Sequence, residues 1–207
     1  MERRDIHVAV YEGLADWEIG HVTAHLANGH WHRQPDRFRV RTVGETTAPV
    51  HTMGQFLVVP DVTLDQIDPA TTALLVLPGA DAWLAGGNQR FATAAADLVA
   101  AGVPVAAICG ATAGLARVGL LDDRWHTSNA AEFLASTGYA GGDRYRNEPA
   151  VTDGDVITAS GTAPVDFARE VFRRLDVYEP GVLASWYKLY GRNDPAGFYE
   201  LMAVGAA

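Results

Sequence analysis

Three short stretches are apolar at nearly every position: residues 6–11 (IHVAVY), 73–77 (ALLVL) and 103–108 (VPVAAI). Runs of this length without polar alternation read as strands covered on both faces, as in a parallel sheet. Parallel strands need crossovers, and helix-like stretches lie between these runs. ADWEIGHVTAHLAN (15–28) sets Trp17, Val22 and Leu26 near helical spacing, with Gly29 as a stop. Residues 89–101 read as an Ala-rich helix, and 110–118 as a small-residue helix after the third run. Residues 38–43 (FRVRTV) alternate apolar and charged side chains, the mark of a half-exposed strand. Strand and helix alternate, so the spacing predicts an α/β fold: an open, mostly parallel central sheet with helices on both faces.

Two antiparallel pieces interrupt the alternation. HTMGQFLVVPDVTL suggests a short hairpin before Pro60, and AVTDGDVITAS carries a two-residue hairpin signal at Asp153-Gly154. Thr162 is expected to cap the helix in TAPVDFAREVFRRL, with Pro164 in its first turn. Val165, Ala168, Val171, Phe172 and Leu175 give that helix one apolar stripe. Residues 1–175 are expected to form one domain. Residues 176–207, with Trp186, Tyr187, Tyr190, Phe198 and Tyr199, are read as a helical extension packed on it; a lid or oligomer contact is the sharper alternative.

Composition narrows the partners. The formal net charge of −9 argues against nucleic acid or an anionic membrane as a partner. No apolar run approaches the roughly 18 residues of a membrane span, and MERRDIHVAVYEG reads as a first strand, not a secretory signal. The cytoplasm is the expected compartment. One cysteine excludes an internal disulfide and any multi-cysteine metal site. The first strand-to-helix turn has one glycine and the acids Glu12, Asp16 and Glu18, where a dinucleotide site needs a Gly-rich loop, so no NAD, FAD or nucleotide cofactor is expected.

That one cysteine, Cys109, comes at the end of the third apolar run and just before a helix. Ligands bind at this end of open α/β sheets. A sharp strand-to-helix turn also exposes its central side chain, and a helix N-terminus favours the thiolate. Cysteine is also a small hydrophobe, so the pattern alone leaves core filler, nucleophile and redox sensor open. His21 and His25 stand four apart, a metal-compatible spacing, with His30 and His32 nearby; solvated or packing roles are the plainer reading, and no metal is expected. His126, in RWHTSN, falls in a segment that can return toward the thiol.

YEGLADWEIG (11–20), LLVLPGADAW (74–83), VAAICGATAGLARVGLL (105–121), HTSN (126–129) and ITASGTAPVDFA (157–168) together resemble the ThiJ/PfpI superfamily, a class I glutamine amidotransferase-like group that includes the human parkinsonism-associated deglycase. The bacterial amidotransferase-like or intracellular protease/amidase-like subgroup is the most similar. The resemblance implies a flavodoxin-like sandwich, commonly dimeric. By the same resemblance Cys109 is the reactive elbow cysteine and Glu18 the acid that hydrogen-bonds its sulfur. His126 matches the nearby histidine, and the Gly79-Ala80 turn with the Gly110 amide matches the oxyanion-hole donors. Glu18 is then expected to be protonated near neutral pH and to stabilise a low-pKa thiolate.

The chain departs from the family in three places. Gly79-Ala80 stands where Gly-Gly is usual, and a positive φ at the second position would strain alanine. Gly110, not histidine, follows the cysteine, unlike members proposed as peptidases. No histidine lies beyond His126, so the late His-x-Glu pair of true glutaminases is absent. The resemblance implies a cofactor-independent, cysteine-dependent enzyme acting on a small carbonyl or amide, of glyoxalase, deglycase or amidase type. Its alternatives are an oxidative-stress sensor or chaperone-like protein using oxidation of Cys109, and a glutamine amidotransferase-like module serving a partner.

Overall fold

The computed structural model describes residues 3–204; Met1, Glu2 and residues 205–207 lie outside it. The apolar runs form strands β1 (Arg4–Ala9), β6 (Thr72–Leu77) and β7 (Val105–Ile108). They are joined by β2 (Phe38–Gly44), β5 (Val62–Thr63), β8 (Ala150–Asp153) and β9 (Val156–Ala159) in one seven-stranded sheet of order β5-β2-β1-β6-β7-β9-β8. Only β8 runs antiparallel. The five main parallel strands follow the doubly wound order 2-1-3-4-5, which is flavodoxin-like. A separate two-stranded hairpin pairs β3 (Val50–His51) with β4 (Leu57–Val58).

Side chains leave a strand on alternate faces, so each central strand feeds two cores. Leu75, Leu77, Val105 and Ala107 pack with Trp83 and Phe91 toward α2 (Gln89–Ala100) and α3 (Ala111–Arg117). Leu74, Val76, Ala106 and Ile108 pack with Val22, Phe167 and Phe172 toward α1 (Asp16–Asn28) and α5 (Pro164–Arg174). The expected helical pair of the tail is present as α6 (Pro180–Arg192) and α7 (Ala196–Val204), which close the second core with Trp186 and Leu201. A short α4 (Ala131–Ala135) follows the HTSN segment.

Two local expectations are corrected. The hairpin loop is Gly154-Asp155, because Asp153 already pairs with Val156; Gly154 takes the positive φ of the first loop position. Thr162 does not cap α5. The cap position is Ala163, beside Pro164 in the first turn, and the Thr162 hydroxyl pairs with Ser160 Oγ at 3.1 Å instead. The hairpin expected before Pro60 is present as β3–β4, and residues 62–63 beyond it form β5 beside β2. Among the described residues, no helix is long and apolar enough to cross a membrane.

Candidate active site

The sheet order reverses between β1 and β6, and the loops after these strands meet the loop after β7 at their carboxyl ends. The Ala15 N–H donates to the Gly79 carbonyl at 2.9 Å, tying the start of α1 to the end of β6. Trp83 anchors the same loop from below. It is fully buried, and its indole N–H reaches Tyr11 Oη at 3.0 Å and the Pro78 carbonyl at 3.1 Å. A Cβ on Gly114 would lie 2.2 Å from the Trp83 ring, so glycine there lets α3 close on the loop.

Cys109 is the elbow between β7 and α3. Its N–H continues the ladder to the Ala159 carbonyl at 3.0 Å, while its φ of +58° turns the chain abruptly into α3. A non-glycine residue in this region is strained, and such strain collects at functional sites. Glu18, in the first turn of α1, is fully buried; its Oε2 accepts the Gly79 N–H at 2.5 Å. Its other oxygen has no hydrogen-bond partner among the described residues. A Cβ built on Gly161 would lie 2.7 Å from Cys109 Sγ and 3.1 Å from Glu18 Oε1, so thiol and carboxylate face the same glycine. Gly79 is equally hemmed in: a Cβ there would lie 2.8 Å from Cys109 Cβ and 2.9 Å from either Glu18 oxygen.

This placement sets the proton balance. Burial raises the Glu18 carboxyl to about 7, against the pull of the Gly79 N–H and the thiol. Burial and the nearby Glu18 carboxylate push the Cys109 thiol up to about 11. The expected low-pKa thiolate is therefore not found. The amide donors of Asn129 and Gly110 pull the thiol down, but less than burial and the Glu18 carboxylate push it up. At neutral pH the thiol keeps its proton and Glu18 is poised to accept one.

Glu18, Cys109, Gly79, Ala80 and Gly110 line one cavity of about 150 Å³, with Trp17, Met53, Leu84 and Phe133 as its apolar wall. Ala80 has φ −160°, extended backbone that any residue adopts, so alanine is unstrained there. Among the described residues, neither the Ala80 nor the Gly110 N–H donates to a backbone carbonyl. His126 is not brought to the sulfur. It is fully buried, its Nδ1 lies 2.7 Å from the Arg124 carbonyl, and its Nε2 lies 2.9 Å from the Tyr139 hydroxyl. The carbonyl requires an Nδ1–H, so Nε2 accepts from tyrosine, and burial keeps the ring neutral. From the same segment it is Asn129 that reaches Sγ, at 3.2 Å.

The four histidines after the first turn do not assemble a site. His21 and His25 stack on each other and meet Trp186 and Tyr190 edge to face, and the Trp186 indole N–H donates to His25 Nε2 at 3.2 Å. His32 turns its Nε2 to the His25 carbonyl at 2.8 Å, and His30 lies against Trp31. No group of three or more His, Cys, Asp or Glu suited to a metal occurs among the described residues. A larger cavity of about 590 Å³ lies between α5 and α6. It holds no cysteine, serine or histidine; of its four cations, Arg169 and Arg173 pair with Glu170, Lys188 pairs with Glu200, and Arg192 lies over the Tyr187 ring.

Residues 4–174 match the DJ-1/PfpI family. A Bacillus subtilis (strain 168) protein named "Uncharacterized protease YoaZ" is 38% identical over 205 residues, 98% of each chain. A second protein of that organism, "Uncharacterized protease YdeA", is 29% identical over 172 residues, 83% of each. Among solved structures, a thiJ/pfpI family protein from Bacillus anthracis superposes with a TM-score of 0.91 at 36% identity, over 99% of this chain and 98% of that one. The DJ-1 superfamily protein Atu0886 from Agrobacterium tumefaciens gives 0.79 at 32% identity, over 92% and 99%.

Proposed function

Because the chain belongs to the DJ-1/PfpI family, we propose that it is a cofactor-independent enzyme whose Cys109 attacks a small carbonyl or amide carbon. The observation that carries this reading is the thiol–carboxylate pair facing Gly161, in which buried Glu18 sits at about 7 beside the half-buried, protonated thiol of Cys109. A base with a pKa near the working pH transfers protons best. Glu18 takes the thiol proton as Sγ bonds to the carbonyl carbon, and the C=O π electrons move onto oxygen. The Ala80 and Gly110 N–H groups stabilise that oxyanion. With an aldehyde, Glu18 returns the proton to the oxyanion and leaves a hemithioacetal. With an amide, it returns the proton to the departing nitrogen and leaves a thioester for water to hydrolyse.

Size favours small molecules over peptides. Liquid water takes roughly 30 Å³ per molecule, so a cavity of about 150 Å³ accepts a substrate of a few heavy atoms. Gly110 beside the nucleophile and the turned-away His126 leave no histidine partner for peptide hydrolysis. The oxidation-sensor reading ranks second, because the thiolate is the species that peroxide oxidises and this thiol is held well above neutrality. A cytoplasmic homodimer belongs to the same proposal.

Turnover of methylglyoxal and of simple amides, compared between wild type and Cys109→Ser, tests it. The wild type is expected to turn over one class, and the variant to lose at least a hundredfold. Turnover unaffected by the substitution would overturn the nucleophile. Selective peroxide oxidation of Cys109 with no turnover would put the sensor in its place.

A further inference from the structure

We propose that Asn129 is the third member of the site: its amide donates to the Cys109 sulfur without titrating, and Glu18 is left as the group that takes up the thiol proton. The assignment rests on the reading of Cys109 as the reacting residue. Asn129 Nδ2 lies 3.2 Å from Sγ. The amide cannot be turned the other way, because its Oδ1 accepts the Gly161 N–H at 2.9 Å and a flip would oppose two donors. The Gly161 carbonyl in turn accepts the Trp17 indole N–H at 3.0 Å. One residue, Gly161, thus links the nucleophile's donor to the aromatic wall of the cavity through its own N–H and carbonyl.

The two preceding residues hold the register. The Thr127 N–H donates to Thr158 Oγ1 at 2.9 Å, and its hydroxyl donates to the Glu148 carbonyl at 2.7 Å. The Thr112 hydroxyl donates to the Cys109 carbonyl at 2.6 Å, so Ser128 must be the donor in its 2.7 Å contact with Thr112. With residues 127 and 128 pinned, Asn129 falls at the cavity mouth against the sulfur. An asparagine amide donates but does not titrate near neutral pH. Tyr11 spends its proton on the Pro78 carbonyl, and Asp81, the other acid on the cavity wall, is exposed.

Iodoacetamide alkylation from pH 6 to 10 tests the assignment without needing a substrate, and the single cysteine makes the signal specific. In Asn129→Ala, alkylation at pH 8 should slow about fivefold and its midpoint should rise, the size expected for losing one partly exposed hydrogen bond. Asn129→Asp keeps the Gly161 contact but replaces the donor with a negative charge. It should slow alkylation further at an unchanged melting temperature, and it gives the answer if the alanine variant does not fold. Wild-type alkylation in both variants would overturn the assignment, even if the enzyme turns over substrate. Slowed alkylation with no turnover in any form would uphold Asn129 and remove the enzymatic reading instead.

Discussion

Glu18 is costly to the fold. The unfolded chain releases its proton near 4.5, whereas the folded protein holds it to about 7. Folding therefore binds a proton between these values, and stability falls as pH rises through them, by ~3 kcal/mol in full. Glu18→Gln keeps an acceptor for the Gly79 N–H and never ionises. It should melt roughly 5–10 °C above wild type at pH 8, converge with it at pH 4, and lose turnover; thermal melts at both pH values check this. Such a gain at the expense of activity is the signature of a group retained for chemistry. Single residues were unevenly legible in the sequence. Glu18 and Cys109 stand out as an acid inside an apolar helix face and a lone cysteine at a strand end. His126 drew notice by its chemistry, but which side chain of RWHTSN faces the sulfur depends on pins at Thr127 and Ser128 from residues 31 and 16 positions away. Gly161 carried one faint signal, a glycine just before the helix of TAPVDFA. What it accommodates, the Cys109 sulfur, is visible only in three dimensions.

Among the elements, the long apolar runs were readable because burial on both faces leaves no polar position. The two-residue β5 was not, since it is too short to show a period and is defined by its pairing with β2. The docking of α6 on α1 was also hidden, because it is made by aromatic rings across a histidine pair. His25 must stay unprotonated at Nε2 to accept the Trp186 indole N–H. Burial, with His21 and His32 nearby, lowers its pKa to about 4. The unfolded chain takes up that proton near 6.5, so stability from this contact is present above 6.5 and is lost as pH falls toward 4. The pair α6–α7 should loosen first on acidification. Protection against amide hydrogen exchange over residues 180–204, taken relative to the intrinsic rate at each pH, should fall below about pH 5 in wild type. His25→Gln, which accepts without titrating, should delay that onset to lower pH.

At the scale of the molecule, a doubly wound sheet puts the loops after three strands at one edge, and the cavity lies where they meet. Beside it, the β3–β4 hairpin exposes Phe56, Leu57 and Val59, next to Met53 of the cavity wall, with Phe56 68% exposed. Clustered exposed apolar side chains mark interaction surfaces, and the proposed homodimer is expected to bury this one. Sedimentation should give a dimer for wild type and a monomer for Phe56→Asp. The glycines that crowd the sulfur carry a further consequence. With Gly79 and Gly161 closing two sides of Cys109, a carbonyl can approach only from the cavity, its oxygen toward Ala80 and Gly110. One prochiral face then meets the nucleophile, and Glu18 delivers its proton from one fixed side. Turning the methylglyoxal hemithioacetal into lactate moves its C1 proton to C2 through an enediolate before water hydrolyses the thioester; if Glu18 carries that proton, chiral chromatography should show a single enantiomer, and a racemate would mean that C2 is protonated away from this wall.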